Sequence, residues 1–245
     1  MTRMVAIIQA RMGASRLPGK SLMAIAGRPM IDHVLERAGE IVGLTEVVLA
    51  TSQHEQDVPL ANRAQSLGYR AWRCPLRMAN GRNDVLSWYH HVAQETRADI
   101  LVRLTGDCPL LAPEVCQRVV DAFVAHRRLD PWTVMHYAWN DTATTGYPDG
   151  TDCEVMTRAI LDAAWTAATD HEDRHHVTPW IRRHQRVLTV TPEQKTAYPV
   201  VKLSVDTTED LERVRAIFGY LAPGQFDLAA TLRALTSASA GKGRG

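Results

Sequence analysis

A basic, glycine-containing loop follows the first apolar run of the chain. Val5 to Ala10 form the run, and Arg11, Arg16 and Lys20 follow within ten residues, beside Gly13. Small residues let a backbone approach a ligand closely, and clustered cations suit the charges of a polyphosphate. The spacing is neither that of a Walker loop nor that of a GxGxxG turn, so it disfavours ordinary ATPase and NAD-binding functions. A solvated basic loop is the simplest alternative, and phosphate binding is favoured over it.

Two aspartates stand directly after other apolar runs. Asp107 lies in a Gly-Asp-Cys-Pro turn after the run that ends at Leu104, and Asp206 follows the run from Val201 to Val205. A carboxylate at the end of a strand can hold Mg²⁺, because this hard cation takes one or two protein oxygens together with phosphate and water. For Asp107 alone, a turn or helix-cap role is the simpler interpretation. Because Asp206 supplies a second carboxylate, metal binding is favoured over that role.

Alternating strands and helices are expected to position these residues. Apolar runs rich in β-branched residues alternate with segments of helical period, which is typical of a mostly parallel sheet with helices on both faces. Ligands of such α/β sheets bind beyond the carboxyl ends of the strands, where the basic loop begins. The predicted strands are 5–10, 47–51, 69–73, 100–104, 153–156, 187–190 and 201–205, and the predicted helices are 30–42, 60–67, 84–95, 113–126, 158–168, 175–184 and 208–220.

The chain is predicted to form one α/β domain over residues 1–235. Residues 236–245 are small or basic, and we expect them to form a flexible tail. Between Pro131 and Gly150 the helix and strand periods stop, which indicates a β-hairpin or loop insertion. Thr207 is expected to cap the helix over 208–220, with Asp210 closing the capping box.

Composition restricts the class of partner. The 28 Lys and Arg nearly balance the 27 Asp and Glu, and the net charge of +1 favours neither nucleic acid nor a membrane surface. No run approaches the roughly 20 apolar residues of a membrane-spanning helix. The four cysteines form no CxxC pair, so we expect reduced thiols in a cytoplasmic protein. Small-molecule partners are therefore expected. The composition does not decide whether the protein forms a homodimer.

Four motifs resemble one enzyme family. Gln9 to Lys20 resembles the first motif of the cytidylyltransferases that make CMP-activated ulosonic and sialic acids, above all the branch named for spore coat polysaccharide biosynthesis protein F. The Gly-Asp-x-Pro turn at Asp107, a Pro-Asp-Gly-x-Asp-x-Glu-Val run at Asp149, and the Val-Asp-Thr-x-Glu-Asp-Leu run at Asp206 follow in family order. The resemblance implies a Rossmann-like nucleotidyltransferase fold. It also implies transfer of CMP from CTP to a small acidic, sugar-like acceptor, such as a sugar acid or a phosphonate, with release of pyrophosphate.

The resemblance also implies the roles of individual residues. Lys20, Arg11, Asp107 and Asp206 would be catalytic, and the two aspartates would bind Mg²⁺. Asp149, Asp152 and Glu154 have groups that hydrogen-bond hydroxyls or an amine, although a plain turn at Asp149 is an equal alternative. The implied nucleotide-binding residues are Gln9, Ala10, Arg11, Met12, Gly13, Ser15, Arg16, Lys20, Arg103, Thr105 and Gly106, and the implied acceptor-binding residues are Tyr147, Asp149, Asp152, Glu154, Arg174 and His176.

The sequence departs from the family pattern at two places. Ala14 stands where the branch usually has Ser, which removes one hydroxyl contact without changing the charge of the loop. Arg82 and Asn83 stand where acidic residues usually precede Asp-Val-Leu, so details of nucleotide or acceptor binding are open there.

Three other functions fit parts of the sequence. His171 to His175 satisfies the HExxH pattern of zinc peptidases, but we expect the helix to begin at or after this motif. A sugar-nucleotide glycosyltransferase would need a DxD pair, and Asp149 and Asp152 are spaced one residue too far apart. A binding protein without catalysis would keep the loop and the acids for ligand binding alone. Release of pyrophosphate from CTP distinguishes all three from a cytidylyltransferase.

Overall fold

The fold is built on a seven-stranded sheet. The computed structural model describes residues 2–75, 84–129, 136–193 and 198–242. The sheet order is β5-β4-β1-β6-β8-β7-β9, and β2 and β3 form a separate antiparallel pair. The strands are β1 (Met4–Gln9), β2 (Ala24–Ile25), β3 (Arg28–Pro29), β4 (Glu46–Ser52), β5 (Arg70–Cys74), β6 (Ile100–Thr105), β7 (Tyr137–Trp139), β8 (Glu154–Thr157) and β9 (Val187–Thr189).

Helices cover both faces of this sheet. Short 3₁₀ turns at Lys20–Leu22 and Glu55–Asp57 add to them. Within the described ranges, every helix is too short or too polar to cross a membrane. The helices are α1 (Met30–Gly39), α2 (Val58–Ser66), α3 (Val85–Thr96), α4 (Pro113–Leu129), α5 (Thr142–Thr145), α6 (Arg158–Ala167), α7 (His171–His176), α8 (Pro179–His184), α9 (Thr208–Phe218) and α10 (Leu228–Lys242).

The four strands β5, β4, β1 and β6 run parallel, which aligns their carboxyl ends on one edge. Gln9 at the end of β1 is in register with Ala50 of β4 and with Thr105 of β6. Strand β8 is antiparallel to β6 and to β7, so the insertion returns the chain toward the same edge. The mostly parallel sheet and the insertion that the sequence predicts are confirmed.

Strand β1 is apolar on both faces because it packs between two hydrophobic clusters. Ala6 and Ile8 belong to the cluster under α1 and α4, whereas Val5 and Ile7 belong to the cluster under α3 and α6. This double burial explains the continuous apolar run in the sequence. A third cluster joins the start of α4 to α9 and α10.

Residues 201–205 do not form the predicted strand. The segment is extended but has a single bridge, between Lys202 and Asp149. Leu203 N donates to the carbonyl of Asp149 at 2.7 Å as part of this bridge, and Val205 N donates to the carbonyl of Asp107 at 2.8 Å. The segment therefore crosses the carboxyl edge and is hydrogen-bonded to turns, not to a neighbouring strand.

Two helical predictions also differ from the structure. The predicted helix over 175–184 is two short helices, because Val177 has a positive φ of 74° and Pro179 starts a new helix. Residues 236–242, expected to be a flexible tail, continue α10. Alanine favours helix, Ala234 packs in the third cluster, and Ser239 Oγ donates to the Leu235 carbonyl within the helix.

Candidate active site

The basic loop, residues 9–20, starts in close contact with the turn after β6. Gly106 N donates to the carbonyl of Gln9 at 2.9 Å. A Cβ added to Gly106 would lie 2.6 Å from the Cβ of Ala10 and 2.7 Å from the Gln9 carbonyl oxygen. Only glycine fits this approach, which fixes the start of the basic loop beside the turn that carries Asp107.

Internal hydrogen bonds close the basic loop on itself. Gly19 N donates to the Met12 carbonyl at 2.8 Å, and Gly19 has a positive φ of 77°. Met12 N donates to Asp57 Oδ1 at 2.7 Å, and Ser52 Oγ holds the other oxygen of this buried carboxylate. Nothing in the sequence singles out Asp57, which anchors the loop from the 3₁₀ turn that follows β4.

Lys20 lies between the two aspartates. Its Nζ donates to Asp107 Oδ2 at 3.0 Å, to Asp206 Oδ1 at 3.1 Å and to the Val205 carbonyl at 2.6 Å. The two carboxylates therefore face the same point, and the Lys20 side chain is only 12% exposed. Residues distant in the sequence meet here because the 201–206 segment crosses the edge of the sheet.

Asp206 also contacts two further cations. Arg16 lies 2.9 Å from its Oδ1 and Lys202 lies 2.9 Å from its Oδ2. Burial alone would raise the pKa of Asp206, but the hydrogen bonds from Lys202 and Lys20 hold it below its ordinary value. This carboxylate is therefore ionised at neutral pH, and three cationic side chains contact it in the free enzyme.

The basic loop forms one wall of a cavity of about 360 Å³, which we call the basic cavity. Apolar and aromatic side chains of α3 and histidines of α7 also line it. Its lining residues are Gln9, Ala10, Arg11, Ala14, Ser15, Arg16, Lys20, Ser21, Val85, Trp88, Arg103, Thr105, Gly106, Asp107, His175, His176 and Asp206.

A second cavity of about 410 Å³, which we call the acidic cavity, adjoins the first. The two share Arg103, Thr105, Asp107 and Asp206, so the aspartate pair lies at their junction. The lining residues of the acidic cavity are Arg103, Thr105, Asp107, Cys108, Trp139, Asn140, Asp141, Thr142, Ala143, Asp149, Asp152, Cys153, Glu154, Arg182, Ser204 and Asp206.

Asp149 and Asp152 lie on a turn that packs against the segment carrying Asp206. Ser204 Oγ donates to Asp149 Oδ1 at 3.0 Å. Asp152 accepts hydrogen bonds from Thr142 Oγ1 at 2.7 Å and from Gly150 N at 3.0 Å. Burial raises the pKa of the Asp152 carboxyl above its ordinary value, against the lowering effect of these two donors.

Glu154 is held by two arginines. Arg103 Nη1 lies 2.9 Å from Glu154 Oε2, and Arg182 Nη1 lies 3.9 Å from Oε1. Thr178 Oγ1 donates to Glu154 Oε1 at 3.0 Å, and the Arg182 guanidinium stacks 4.6 Å from the Trp139 ring centroid. The register of β6 with β8 places Arg103 opposite Glu154.

Comparison with known proteins identifies the family. Residues 5–238 match the family model described as Cytidylyltransferase. The chain belongs to the cytidylyltransferase family. This confirms the resemblance seen in the motifs, and the enzyme is therefore a CTP-dependent nucleotidyltransferase.

Two relatives and one solved structure illustrate this membership. Spore coat polysaccharide biosynthesis protein SpsF of Bacillus subtilis is 29% identical over 227 residues, covering 89% of this chain and 87% of that protein. A 3-deoxy-manno-octulosonate cytidylyltransferase of Anaeromyxobacter dehalogenans is 32% identical over 223 residues, covering 89% and 86%. The solved structure of a cytidylyltransferase from Leptospira borgpetersenii has a TM-score of 0.86 at 24% identity, covering 98% of this chain and 96% of that one.

Most of the predicted site residues of this cytidylyltransferase line one of the two cavities. Of the predicted nucleotide-binding residues, Met12 and Gly13 do not line the basic cavity. Met12 instead closes the loop, and Gly13 lies beside Gln56. Of the predicted acceptor residues, His176 lines the basic cavity and not the acidic one.

Tyr147 and Arg174 line neither cavity in the described part of the enzyme. Tyr147 is buried in the third cluster, with its ring 5.7 Å from that of Tyr198. Arg174 Nη2 contacts Asp84 at 2.7 Å and Ser87 at 3.0 Å, which ties α7 to the start of α3. Both side chains therefore have structural contacts here. Arg82 and Asn83 lie outside the described residues.

The HExxH motif coincides with α7, which begins at His171, the first residue of the motif. The His171 and His175 rings stack at 5.5 Å. Among the described residues, no cluster of three or more His, Cys, Asp or Glu is arranged to hold a metal ion. The described ranges therefore bring no third ligand beside His171 and His175 for a zinc-peptidase site.

Several cavity residues were not found from the sequence. Trp88 lines the basic cavity, and its buried indole Nε1 has no hydrogen-bond partner among the residues that the structure describes. Arg182 and Ser204 line the acidic cavity. A tryptophan within a helical apolar pattern is indistinguishable from a core residue, and Arg182 stands in a helix with other basic residues. Only the fold separates these positions from their neighbours.

Proposed function

We propose that this cytidylyltransferase transfers CMP from CTP to a small, acidic, sugar-like acceptor in a Mg²⁺-dependent reaction that releases pyrophosphate. The observation that carries this proposal is the junction of the two cavities at Asp107 and Asp206. A basic cavity suits a nucleoside triphosphate, and a neighbouring cavity with carboxylates and arginines suits a polyhydroxylated acid. The α-phosphate and the attacking hydroxyl would then meet between them.

The donor set at this junction fits Mg²⁺. The carboxylates of Asp107 and Asp206 face each other across the Lys20 ammonium, whose Nζ lies 3.0 Å from Asp107 Oδ2 and 3.1 Å from Asp206 Oδ1. Carboxylate oxygens are the hard ligands that Mg²⁺ prefers. Asp107 and Asp206 would hold the ion, leaving its other positions for phosphate and water. When bound there, it would neutralise charge on the triphosphate.

The side chains of the enzyme would mainly position and neutralise the reactants. Arg11, Arg16 and Lys20 would bind the phosphate oxygens in place of the carboxylates that two of them contact in the free enzyme. The acceptor oxygen would form a bond to the α-phosphorus while the bond from the α-phosphorus to the pyrophosphate oxygen breaks, and the hydroxyl proton would pass to solvent water. Alignment of the two reactants lowers the barrier without covalent participation of the protein.

The relatives favour a sugar acid as the acceptor. One of them is named as a 3-deoxy-manno-octulosonate cytidylyltransferase. In this enzyme, Arg103 and Arg182 would bind the acidic group of the acceptor, and the neighbouring carboxylates would bind its hydroxyls or an amine.

The test is to incubate the purified enzyme and Mg²⁺ with each of the four nucleoside triphosphates and a panel of sugar acids and phosphonates. We expect pyrophosphate only with an acidic acceptor, and faster with CTP than with ATP, GTP or UTP. Equal rates with all four nucleotides would remove the preference for cytosine. Release of a nucleoside diphosphate from a sugar nucleotide, without pyrophosphate from CTP, would instead support glycosyl transfer.

A further inference from the structure

Three buried polar atoms on the wall of the basic cavity have no hydrogen-bond partner within the described ranges. They are Trp88 Nε1, Gln9 Oε1 and Arg103 Nε. An unpaired polar group in the interior costs free energy, so a ligand that completes the hydrogen bond is the best explanation for each atom. Arg103 also pairs with Glu154 and lines both cavities, whereas Trp88 and Gln9 line the basic cavity alone. These two residues therefore concern the nucleotide.

The basic cavity has a charged wall and an apolar wall. The charged wall carries Arg11, Arg16 and Lys20. Val85 and Trp88, three residues apart and therefore on one face of α3, form the apolar wall. With the triphosphate on the basic loop, the flat ring of the base is the part of the nucleotide that suits the apolar wall.

The indole of Trp88 is held close to the end of β1. Trp88 is only 5% exposed and packs in the cluster under α3 and α6. The next residue joins α3 to the sheet, because Tyr89 Oη lies 3.3 Å from the carbonyl oxygens of both Ile7 and Leu104. Gln9 follows Ile7 by two residues, at the end of the same strand. The orphaned donor and the orphaned acceptor therefore belong to one region of the cavity.

The chemistry of the indole decides which pyrimidine it can bind. An indole N–H only donates a hydrogen bond, whereas an amide side chain such as that of Gln9 has both an acceptor and donors. Cytosine has an acceptor at N3 beside the donating amine at N4, and uracil has a donor at N3 beside an acceptor at O4. A fixed donor that faces position 3 thus binds cytosine and opposes the N3–H of uracil.

We propose that Trp88 is a specificity-determining residue, whose indole N–H donates to N3 of cytosine while Gln9 Oε1 accepts from the N4 amine. This inference rests on the proposed function, because it requires the triphosphate on the basic loop. The basic loop and the aspartate pair contact groups that CTP and UTP share. Selection between the two nucleotides therefore needs residues at the base, and Trp88 has the donor that the difference between them demands.

The test measures the binding of CTP and of UTP to the full chain with Mg²⁺, by isothermal titration calorimetry without an acceptor. The wild type should bind CTP more tightly than UTP. Trp88→Phe keeps an aromatic ring and removes the donor. It should weaken CTP binding by roughly tenfold, the effect of losing one hydrogen bond within a binding site, and should not weaken UTP binding.

Trp72→Phe is the matched control. The indole of Trp72 is also buried, but it donates to Glu95 Oε1 at 2.8 Å and lies outside both cavities. Removal of this N–H should leave the ratio of CTP affinity to UTP affinity at the value of the wild type. Thermal melts of both variants show whether they are folded.

A CTP analogue tests the same contact without a change in the protein. In 3-deazacytidine triphosphate, a C–H group replaces N3. The analogue should bind the wild type roughly tenfold more weakly than CTP does. It should bind Trp88→Phe as tightly as CTP does, because the two changes remove the same hydrogen bond.

Two results would overturn the inference and leave the proposed function intact. One is an equal weakening of CTP and UTP binding in folded Trp88→Phe, which would indicate a contact with a group that both nucleotides share. The other is a wild-type enzyme that binds the 3-deaza analogue as tightly as CTP, and this result decides even if the variant does not fold. Absence of binding of any of these nucleotides to the wild type would instead contradict the proposed function itself.

Discussion

Lys20 contacts both aspartates of the site through one ammonium nitrogen. When the triphosphate binds, this ammonium would exchange carboxylate contacts for phosphate contacts. The Lys20→Ala variant should therefore raise the KM for CTP by about 10- to 100-fold, since a charge-assisted hydrogen bond contributes about 1.5–3 kcal/mol. Steady-state kinetics with CTP varied at saturating acceptor measures this effect.

Arg70→Ala is the matched control for Lys20. Arg70 is an exposed cation that pairs with Glu95 and lies outside both cavities, so its removal should leave the KM for CTP unchanged. A Lys20→Ala enzyme with the KM and turnover of the wild type would show that the basic loop does not bind the triphosphate through this residue.

Residue type and position in the sequence could point to some residues that line the two cavities and not to others. Lys20 and Asp107 could be chosen because a cation in a glycine-containing loop and an aspartate after a strand have few structural uses there. Trp88 and Arg182 could not, because their roles depend on which side of a helix faces the cavities. Tyr147 stands next to motif residues that face the acidic cavity, whereas its own ring packs in the third cluster, and the sequence does not distinguish the two positions.

The turn at Gly150 holds Asp149 and Asp152 against the segment that carries Asp206. Gly150→Ala places a side chain at a φ of 97° and 2.6 Å from a backbone nitrogen. We expect a loss of more than about 1–2 kcal/mol in the free energy of unfolding, which is the conformational term alone. Turnover should fall as well, because the turn must shift away from residues 203–204. Urea denaturation and pyrophosphate release measure the two effects.

The Gly146→Ala variant separates the two expected effects of Gly150→Ala, which are the conformational cost of a positive φ and the steric clash with residues 203–204. Gly146 has a φ of 84°, but a Cβ there would meet nothing within 4 Å. Its alanine variant should show the conformational cost without the loss of turnover. Equal effects of the two substitutions on stability and turnover would contradict the close contact between the turn and the 203–204 backbone.

Asp210 connects the start of α9 to the segment before it. Thr207 and Asp210 form the predicted capping box, and Asp210 also contacts Lys202 and Arg213. Burial alone would raise the pKa of Asp210, but the hydrogen bonds from Lys202, Arg213 and two backbone amides hold it well below its ordinary value. This contribution to stability is present above the ordinary carboxyl pKa of about 4 and is lost as the pH falls toward the lower folded value.

Asp210→Ala should therefore reduce the free energy of unfolding by about 1–2 kcal/mol at pH 7, the range for loss of a helix cap. The difference from the wild type should shrink as the pH is lowered below about 4. Urea denaturation of both proteins from pH 7 to pH 3 measures it. A difference that stays constant over this range would show that the ionised carboxylate is not the source of the stability.

Element boundaries could be predicted where the hydrophobic period was strong. Burial on both faces gives continuous apolar runs in the sequence, and these runs predict strands β1, β4 and β6. The residue types at the start of α9 predict its capping box. The alternation over residues 201–205 predicts a strand, but it reflects burial in the third cluster and not pairing. The small residues of 236–242 give little apolar signal and so predict a tail, although alanine favours helix.

At the scale of the whole molecule, the fold brings Asp107 and Asp206 together from distant parts of the chain. Asp107 follows the parallel strand β6, as the sequence predicts. Asp206 arrives by a different route, on a segment whose Val205 amide donates to the Asp107 carbonyl at 2.8 Å. The meeting of the two acids could be predicted from the sequence with the family motifs, but the path of the second could not, because it depends on hydrogen bonds to turns.

The most direct test of this account is a double-mutant cycle on turnover with Asp107→Asn, Asp206→Asn and both changes, with Mg²⁺ titrated. If the two acids hold one ion, either change alone should nearly abolish turnover, and the double change should add little to the loss. Thermal melts without metal should show that all three variants stay folded. Independent, additive losses, or an Asp206→Asn enzyme with the Mg²⁺ dependence of the wild type, would contradict a shared metal site at the junction of the two cavities.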